Sequence, residues 1–301
     1  QNLVSDPGKV SCMFNSFFID VGKTLASKIA ATGISHFMYL NRMFGNVQSS
    51  FNFSPVTEED IIQIIDGLDA KKATGHDGIS VKLIKKCSDF VIPHLTIMFN
   101  NCIATSIFPD VLKIARVIPI YKSGDTGMVS NYRPISILPV LSKVLECLLH
   151  KQLYNYFVNN NLLYINQSGF HIGFSTQYSL HNVFENIYDN INNGLYTGII
   201  ALDLKKAFDT VNFQILLDKL KFYGLDCNSL KFMSSYLSNR YQYVNINGCK
   251  STENLINTGV PQGSILGPLL FIIYINDIPS VISKSCINIY ADDTAIYFAH
   301  S

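Results

Sequence analysis

Two adjacent acidic residues, Asp292 and Asp293, interrupt an otherwise apolar stretch near the end of the sequence. The surrounding segment 287–298 is rich in Ile, Tyr and Phe, which predicts two β-strands joined at the acidic pair. A third acid, Asp203, lies within a similar apolar run at 198–204, which predicts a buried strand. Because burying an unpaired carboxylate costs several kcal/mol, the fold must provide partners for three such groups.

Two interpretations account for these acids. For a single aspartate, the commoner one is a salt bridge or a position at a strand end that faces water. However, no Lys or Arg lies within five residues of Asp292 on either side, and two adjacent carboxylates repel each other unless a cation neutralises them. Oxygen ligands favour a hard cation, Mg²⁺ or Mn²⁺, which binds one or two carboxylates together with substrate phosphates. The pattern therefore indicates a metal site and phosphoryl-group chemistry.

The composition excludes several classes of protein. Hydrophobic residues make up 48% of the 301, so the chain is not intrinsically disordered. No apolar run approaches the roughly 18 residues that span a bilayer. The seven cysteines are odd in number and include no CxxC pair, which excludes a zinc finger and indicates reduced thiols in an intracellular protein.

The net charge of +1 conceals an uneven distribution. Residues 71–151 contain eleven Lys and Arg against five acidic residues, a net charge of +6, so the remainder carries −5. This separation predicts a basic half that attracts phosphates and an acidic half that attracts cations.

The remaining sequence alternates between helical and strand patterns. Thr57 and the three acids after it predict a helix N-terminus, and a turn is predicted at 75–78. Further helices are predicted from Pro93, at 141–148, 213–220 and 264–275, and strands at 115–121, 132–138, 199–204, 241–246 and 254–260. Residues 41–53 are predicted to form a loop or linker. This order predicts an α+β fold with helices packed on one face of a sheet.

Several sequence blocks occur in an order that matches a known family. They are Tyr290-Ala291-Asp292-Asp293, the ten residues Gly-Val-Pro-Gln-Gly-Ser-Ile-Leu-Gly-Pro at 259–268, Leu-Asp-Leu-Lys-Lys-Ala-Phe-Asp at 202–209, and shorter blocks at 75–79, 118–124, 131–136 and 167–170. Together they resemble the reverse transcriptases, and more narrowly the polymerases of non-LTR (LINE-like, jockey-type) retrotransposons. The resemblance covers roughly residues 57 to 301.

This resemblance implies a right-hand polymerase fold. Residues 1–55 are then an N-terminal linker region, residues 56–195 the fingers, and residues 196–301 a palm built on a ferredoxin-like antiparallel sheet with helices on one face. The chain is expected to be a fragment that stops before the thumb. The full-length protein is expected to carry an upstream endonuclease and a downstream thumb.

The family's metal-binding carboxylates match three residues of this chain. The resemblance implies that Asp203, Asp292 and Asp293 are catalytic, and that two Mg²⁺ ions (or Mn²⁺) bind at Asp203, Leu204, Asp292 and Asp293. Tyr290 and Ala291 are expected to support the motif.

Residues of this chain also match the family's nucleotide-binding positions. Lys122 and Arg133 resemble the pair that clamps the incoming triphosphate, and Phe208 matches the steric gate that excludes a 2′-hydroxyl. Gln262 and Gly263 match the block that approaches the nucleotide. Asp209 is expected to cap or orient the helix that follows it rather than to bind metal.

The chain departs from the family pattern at a few positions. His171, Ile172 and Phe174 stand where basic residues are usual after the Gly-Phe pair, which puts a template-backbone contact in doubt. His76 replaces a frequent Pro, and Phe213 a common His.

The predicted function is that of an RNA-directed DNA polymerase that copies retrotransposon RNA into cDNA. Its expected partners are an RNA template, a DNA primer and deoxynucleoside triphosphates, in the cytoplasm or nucleus and without a membrane. The alternatives are a catalytically inactive or domesticated fragment, a reverse transcriptase of group II intron or telomerase type, and an RNA-dependent RNA polymerase. The three intact carboxylates favour an active site, and Phe208 disfavours RNA synthesis.

Overall fold

The computed structural model of the chain describes residues 4–29 and 35–300. Within these ranges the helices are α1 (Pro7–Ala26), α2 (His36–Phe44), α3 (Glu58–Gly67), α4 (Val81–Lys86), α5 (Ser88–Thr105), α6 (Val140–Asn159), α7 (Thr176–Asn192), α8 (Phe213–Phe222), α9 (Cys227–Leu237) and α10 (Leu266–Ile275). The strands are β1 (Ala115–Tyr121), β2 (Tyr132–Ile137), β3 (Tyr196–Asp203), β4 (Arg240–Ile246), β5 (Cys249–Lys250), β6 (Asn254–Ile256), β7 (Cys286–Tyr290) and β8 (Asp293–His300). The predicted α+β class is therefore confirmed.

Helix boundaries follow local capping chemistry. The helix predicted at Thr57 is confirmed, because the Thr57 side chain accepts from the Asp60 N–H while the Asp60 carboxylate accepts from the Thr57 N–H. By contrast, α5 begins at Ser88 and not at Pro93, which lies inside the helix. Helix α4 had not been predicted.

A five-stranded sheet joins distant parts of the chain. The predicted hairpin is confirmed, since β1 and β2 pair antiparallel. On its other side, β1 pairs in parallel with β4, which also pairs antiparallel with β5 and β6. The sheet thus contains residues from both sides of the boundary predicted at 195/196.

A second sheet has three antiparallel strands in the order β3-β8-β7. The prediction that the apolar run in β3 is buried is wrong, because Ile199 and Ile200 are each about half exposed, at 51% and 50%. Strand β3 lies at the edge of the sheet, and its apolar side chains are only partly covered by the rest of the chain.

The main hydrophobic core surrounds α10. Eight of the ten residues of this helix are buried, and it packs against α6 and α8. Its apolar sequence therefore serves core packing. In the part of the chain that the structure describes, every helix is too short or too polar to cross a membrane.

The segment 1–55 was expected to be a linker region. Its described residues, 4–29 and 35–55, contain the helices α1, which has 20 residues, and α2. Phe14 and Phe18 of α1 form a second, smaller core with Ala115, Val117 and Val244 of the five-stranded sheet. The α1 part of this segment is therefore an integral layer of the fold.

Candidate active site

The three predicted carboxylates lie together at one end of the three-stranded sheet. Asp203 is the last residue of β3 and pairs in register with Asp293, the first residue of β8. Asp292 lies in the tight turn between β7 and β8. Burial raises the pKa of Asp292, the charges of Asp293 and Asp203 raise it further, and Arg133 opposes them. The sheet therefore brings three negative charges close enough to act on one another.

The three acids are less buried than their apolar surroundings predicted. Asp203 and Asp293 are exposed at strand ends, and only Asp292 is partly buried. The cost of burying a carboxylate therefore arises at Asp292 alone. Repulsion also acts on Asp292, because the charges of both neighbours raise its pKa.

The side chains at this site that could bind a metal ion are the three carboxylates of Asp203, Asp292 and Asp293. No group of three or more His, Cys, Asp or Glu side chains within residues 4–29 and 35–300 is already arranged to hold one. The chemistry nevertheless fits a hard divalent cation, since the three neighbouring groups are all carboxylates that repel one another. Leu204, which follows Asp203 directly, lies just beyond the end of β3.

The turn that carries Asp292 is held by a separate loop. Ala291 has a positive φ of 57°, which is unusual for a residue with a side chain. The Gln167 Oε1 atom accepts from the N–H groups of Ala291 (3.0 Å) and Gly169 (2.8 Å), and its Nε2 donates to the Ala291 carbonyl (3.4 Å). A Cβ added to Gly169 would overlap the backbone of Ala291, so this position requires glycine. Tyr290 pairs with Asp293 across the turn.

Phe208, which lies between Asp203 and Asp209 in the sequence, belongs to a rigid aromatic cluster. Its ring stacks on Phe271 of α10 at 4.5 Å between centroids and meets Phe170 edge-on at 5.9 Å. The Phe208 carbonyl accepts from the Val260 N–H at 2.9 Å. The side chain is only partly buried, so one part of the ring remains accessible.

Gln262 and Gly263 are anchored to β2. The Gln262 carbonyl accepts from the Ser136 N–H at 2.7 Å, and a Cβ on Gly263, whose φ is 122°, would overlap the Ser136 carbonyl. The absence of a side chain at Gly263 therefore allows its backbone to lie directly against β2.

Asp209 does not cap the following helix, contrary to expectation. The cap of α8 is Asn212, whose side chain accepts from the Ile215 N–H. Instead, the Asp209 Oδ1 atom accepts from Gln262 Nε2 at 2.9 Å, while its Oδ2 is buried without a hydrogen-bond partner. Burial raises the pKa of Asp209 despite the opposing effects of Gln262 and Lys206. Asp209 thus links the segment that carries Phe208 to the segment that carries Gln262 and Gly263, both of which were predicted to bind the nucleotide.

A group of cations lies beside the carboxylates. Lys206 donates through Nζ to the Tyr132 carbonyl at 3.2 Å, next to Arg133 in β2. Burial lowers the pKa of Lys206, and the charges of Lys122, Arg133 and Lys205 lower it further. The predicted pair Lys122 and Arg133 is therefore brought together with two lysines that sequence reasoning had not assigned, although both follow Asp203 closely in the sequence.

Glu146 of α6 was not predicted as part of this region. It is fully buried, and its Oε2 accepts from the N–H groups of Ile265 (2.7 Å) and Leu266 (3.1 Å) at the start of α10. Ser142 donates to Oε1 at 3.1 Å. Glu146 thus fixes the first turn of α10 just after Gln262 and Gly263.

Comparison with known proteins places this geometry in a family. The family described as reverse transcriptase (RNA-dependent DNA polymerase) matches residues 120–301, which is more than half of the chain and contains every site residue discussed above. The chain belongs to the reverse transcriptase family. This match, together with 32–33% identity to polymerases of the mobile element jockey, confirms the resemblance to reverse transcriptases of non-LTR retrotransposons at the level of the domain.

Individual relatives of this reverse transcriptase domain are proteins of mobile elements. It is 32% identical over 257 residues to the RNA-directed DNA polymerase from mobile element jockey of Drosophila funebris, covering 83% of this chain and 28% of the relative. It is 30% identical over 267 residues to the probable RNA-directed DNA polymerase from transposon BS of Drosophila melanogaster, covering 84% of this chain and 29% of the relative. The chain therefore spans less than a third of the length of these relatives.

Proposed function

We propose that the chain is the polymerase part of an RNA-directed DNA polymerase that copies retrotransposon RNA into cDNA. The observation that carries this proposal is the register pairing of Asp203 with Asp293, which together with Asp292 in the adjoining turn gives three neighbouring carboxylates close to the cation of Arg133. Carboxylates next to cations are what a site for metal-bound triphosphate requires.

In this proposal the fold is that of a right-hand polymerase. Residues 196–301 form the palm, whose sheet β3-β8-β7 fixes the spacing of the carboxylates, and residues 56–195 form the fingers. Strand β2 of the fingers supports the palm site directly, because it binds Gln262 through Ser136 and Lys206 through Tyr132.

The carboxylates of Asp203, Asp292 and Asp293 would hold two Mg²⁺ ions, or Mn²⁺, beside Leu204. When bound, such ions lower the pKa of the primer 3′-hydroxyl and neutralise charge on the phosphates. A bound cation would offset the repulsion that Asp203 and Asp293 exert on Asp292 and so would favour its ionised form. Asp203 and Asp293 are held at a fixed separation by the β3–β8 ladder, so the reacting groups need little rearrangement.

The nucleotide is recognised by residues around the carboxylates. Arg133 and Lys122 bind the triphosphate, and the fork of Arg133 suits phosphate oxygens. Phe208, held by Phe271 and Phe170, occupies the space that a 2′-hydroxyl would need and so selects deoxynucleotides. Gln262 donates through Nε2 to Asp209, and in this orientation it presents its Oε1 atom to the substrate.

The proposed partners are an RNA template, a DNA primer and deoxynucleoside triphosphates, within the cytoplasm or nucleus. In the longer protein we propose an endonuclease before this region and a thumb after it, in keeping with the greater length of the relatives.

Primer extension on an RNA template tests this function. Asp292→Asn should abolish Mg²⁺-dependent incorporation of deoxynucleotides, whereas Asp20→Asn, an exposed acid on α1, should leave it unchanged. Incorporation by Asp292→Asn at the parent rate would refute the assignment of the site.

A further inference from the structure

We infer that Gln167 is a positioning residue that holds the catalytic turn in its active conformation. This inference rests on the proposed function, because it assumes that Asp292 and Asp293 are catalytic. Gln167 lies 124 residues before Ala291 in the sequence, and it is 97% buried, with 3% of its surface exposed.

The Gln167 amide group is bonded to both peptide planes that flank Ala291. Its Oε1 accepts the N–H of the 290–291 peptide, and its Nε2 donates to the carbonyl of the 291–292 peptide. Because φ and ψ of a residue are the rotations between its two peptide planes, one side chain fixes both angles of Ala291. These contacts also determine the orientation of the amide. Two N–H groups donate to Oε1, and Nε2 could not take its place because an amide NH₂ group does not accept hydrogen bonds.

The turn needs such support because its conformation is unfavourable for alanine. In a left-handed conformation the Cβ of a residue with a side chain comes too close to the following carbonyl oxygen. The hydrogen bonds from Gln167 to both sides of Ala291 offset this cost. Without Gln167, Ala291 would favour a negative φ, and the Asp292 carboxylate that follows it in the turn would move away from Asp203 and Asp293.

The loop that carries Gln167 is itself fixed to the hairpin. Ile289 donates through its N–H to the Asn166 carbonyl (2.9 Å) and accepts from the Ser168 N–H (2.8 Å). Gly169 packs against the Ala291 backbone with no room for a side chain. Gln167 is therefore presented to the turn by a rigid element.

A test uses Gln167→Met, which keeps an unbranched side chain of similar size but loses all three hydrogen bonds. Gln152 provides a matched control, because its amide makes the same two-sided contact with a backbone remote from the turn: Oε1 accepts from the Ser54 N–H (2.8 Å) and Nε2 donates to the Ser54 carbonyl (3.0 Å). Both variants are made in the complete chain, and circular dichroism establishes that each is folded.

We expect Gln167→Met to lower kcat for primer extension by about 10- to 100-fold, since small misplacements of catalytic groups have effects of that size. The KM for deoxynucleotide should change far less, and Gln152→Met should retain the parent kcat. Adding Ala291→Gly to Gln167→Met should recover part of the loss, because glycine adopts a positive φ without support. Loss of packing alone would not be recovered in this way.

Hydrogen exchange provides a readout that needs no activity. In Gln167→Met, the amides of residues 292–294, which do not bond to Gln167, should exchange faster than in the parent. Exchange that changes only at Ala291 and Gly169, or a folded Gln167→Met with the parent kcat, would overturn the inference. Asp292→Asn separates the two proposals: if it abolishes extension while Gln167→Met does not, the role of Gln167 alone is wrong.

Discussion

Replacing Glu146 tests how the first turn of α10 is held beside the nucleotide-binding block. The side chain is fully buried, and its Oε2 accepts from the N–H groups of Ile265 and Leu266. Glu146→Ala removes this acceptor and leaves two buried N–H groups without a partner. Glu146→Gln keeps one oxygen for the two N–H donors and can donate its amide to Ser142.

The expected loss of stability follows from these contacts. A hydrogen bond to a charged group contributes about 1.5 to 3 kcal/mol, so losing two of them should lower the free energy of unfolding by about 3 to 6 kcal/mol in Glu146→Ala. Glu146→Gln should cost less than about 2 kcal/mol, because its neutral bonds remain and the burial of a charge is relieved. As a control, Glu185→Ala, which removes an exposed carboxylate paired with His181, should cost less than about 1 kcal/mol.

Urea unfolding followed by far-UV circular dichroism measures these differences, as the chain contains no Trp. If Glu146→Ala costs no more than Glu185→Ala, or if Glu146→Gln costs as much as Glu146→Ala, the account of this cap is incorrect.

The pH dependence gives a second measurement on the same residue. Burial raises the pKa of Glu146 above its ordinary value of 4.5, against the effects of Arg240 and the two N–H donors. A carboxyl with a raised pKa contributes stability that is fully present below the unfolded-state pKa and is lost as the pH rises through the folded-state pKa. The stability of the parent relative to Glu146→Gln should therefore increase as the pH is lowered from about 7 to about 5. A difference that does not vary over this range would contradict the direction of the shift.

Three further predictions concern the site itself. Asp209→Ala should raise the KM for deoxynucleotide by about 2- to 10-fold in steady-state primer extension, because Gln262 loses one hydrogen bond, whereas Asp209→Asn keeps an acceptor and should have a smaller effect. Phe208→Val should increase ribonucleotide incorporation relative to deoxynucleotide incorporation, and an unchanged ratio would argue against its role as a gate. Gly169→Ala should lower the free energy of unfolding by about 1 to 3 kcal/mol, because the new Cβ meets the Ala291 backbone, whereas Gly67→Ala, where no atom lies within 4 Å of the new Cβ, should be nearly neutral in thermal unfolding.

The sequence predicted the elements whose signals are local. The capping pair Thr57 and Asp60 and the hairpin of β1 and β2 were readable because each depends on a few neighbouring residues. Helix α1 was missed although a signal existed: Phe14, Phe17, Phe18 and Val21 are spaced for one helical face after a capping Asp and Pro.

Features that depend on distant contacts were not accessible in this way. The apolar composition of β3 does not reveal that the strand lies at a sheet edge, so its burial was predicted wrongly. Gln167 stood in a matched sequence block, but no local pattern shows that its partner is Ala291. Similarly, Asp209 was predicted to cap the next helix because its position in the sequence suits that role. Its actual partner, Gln262, lies 53 residues away and could not be identified from local sequence.

The packing of α1 on β4 has a consequence for how the chain folds during synthesis. Asn15 bonds through its side chain to Gln242 and to the Thr252 carbonyl, which follow it by 227 and 237 residues. At ribosomal rates of about 5 to 20 residues per second, α1 emerges about 10 to 50 s before the strand it docks against exists. During that interval Phe14 and Phe18 lack Val244, so the apolar face of α1 stays only partly covered in the nascent chain until β4 is made.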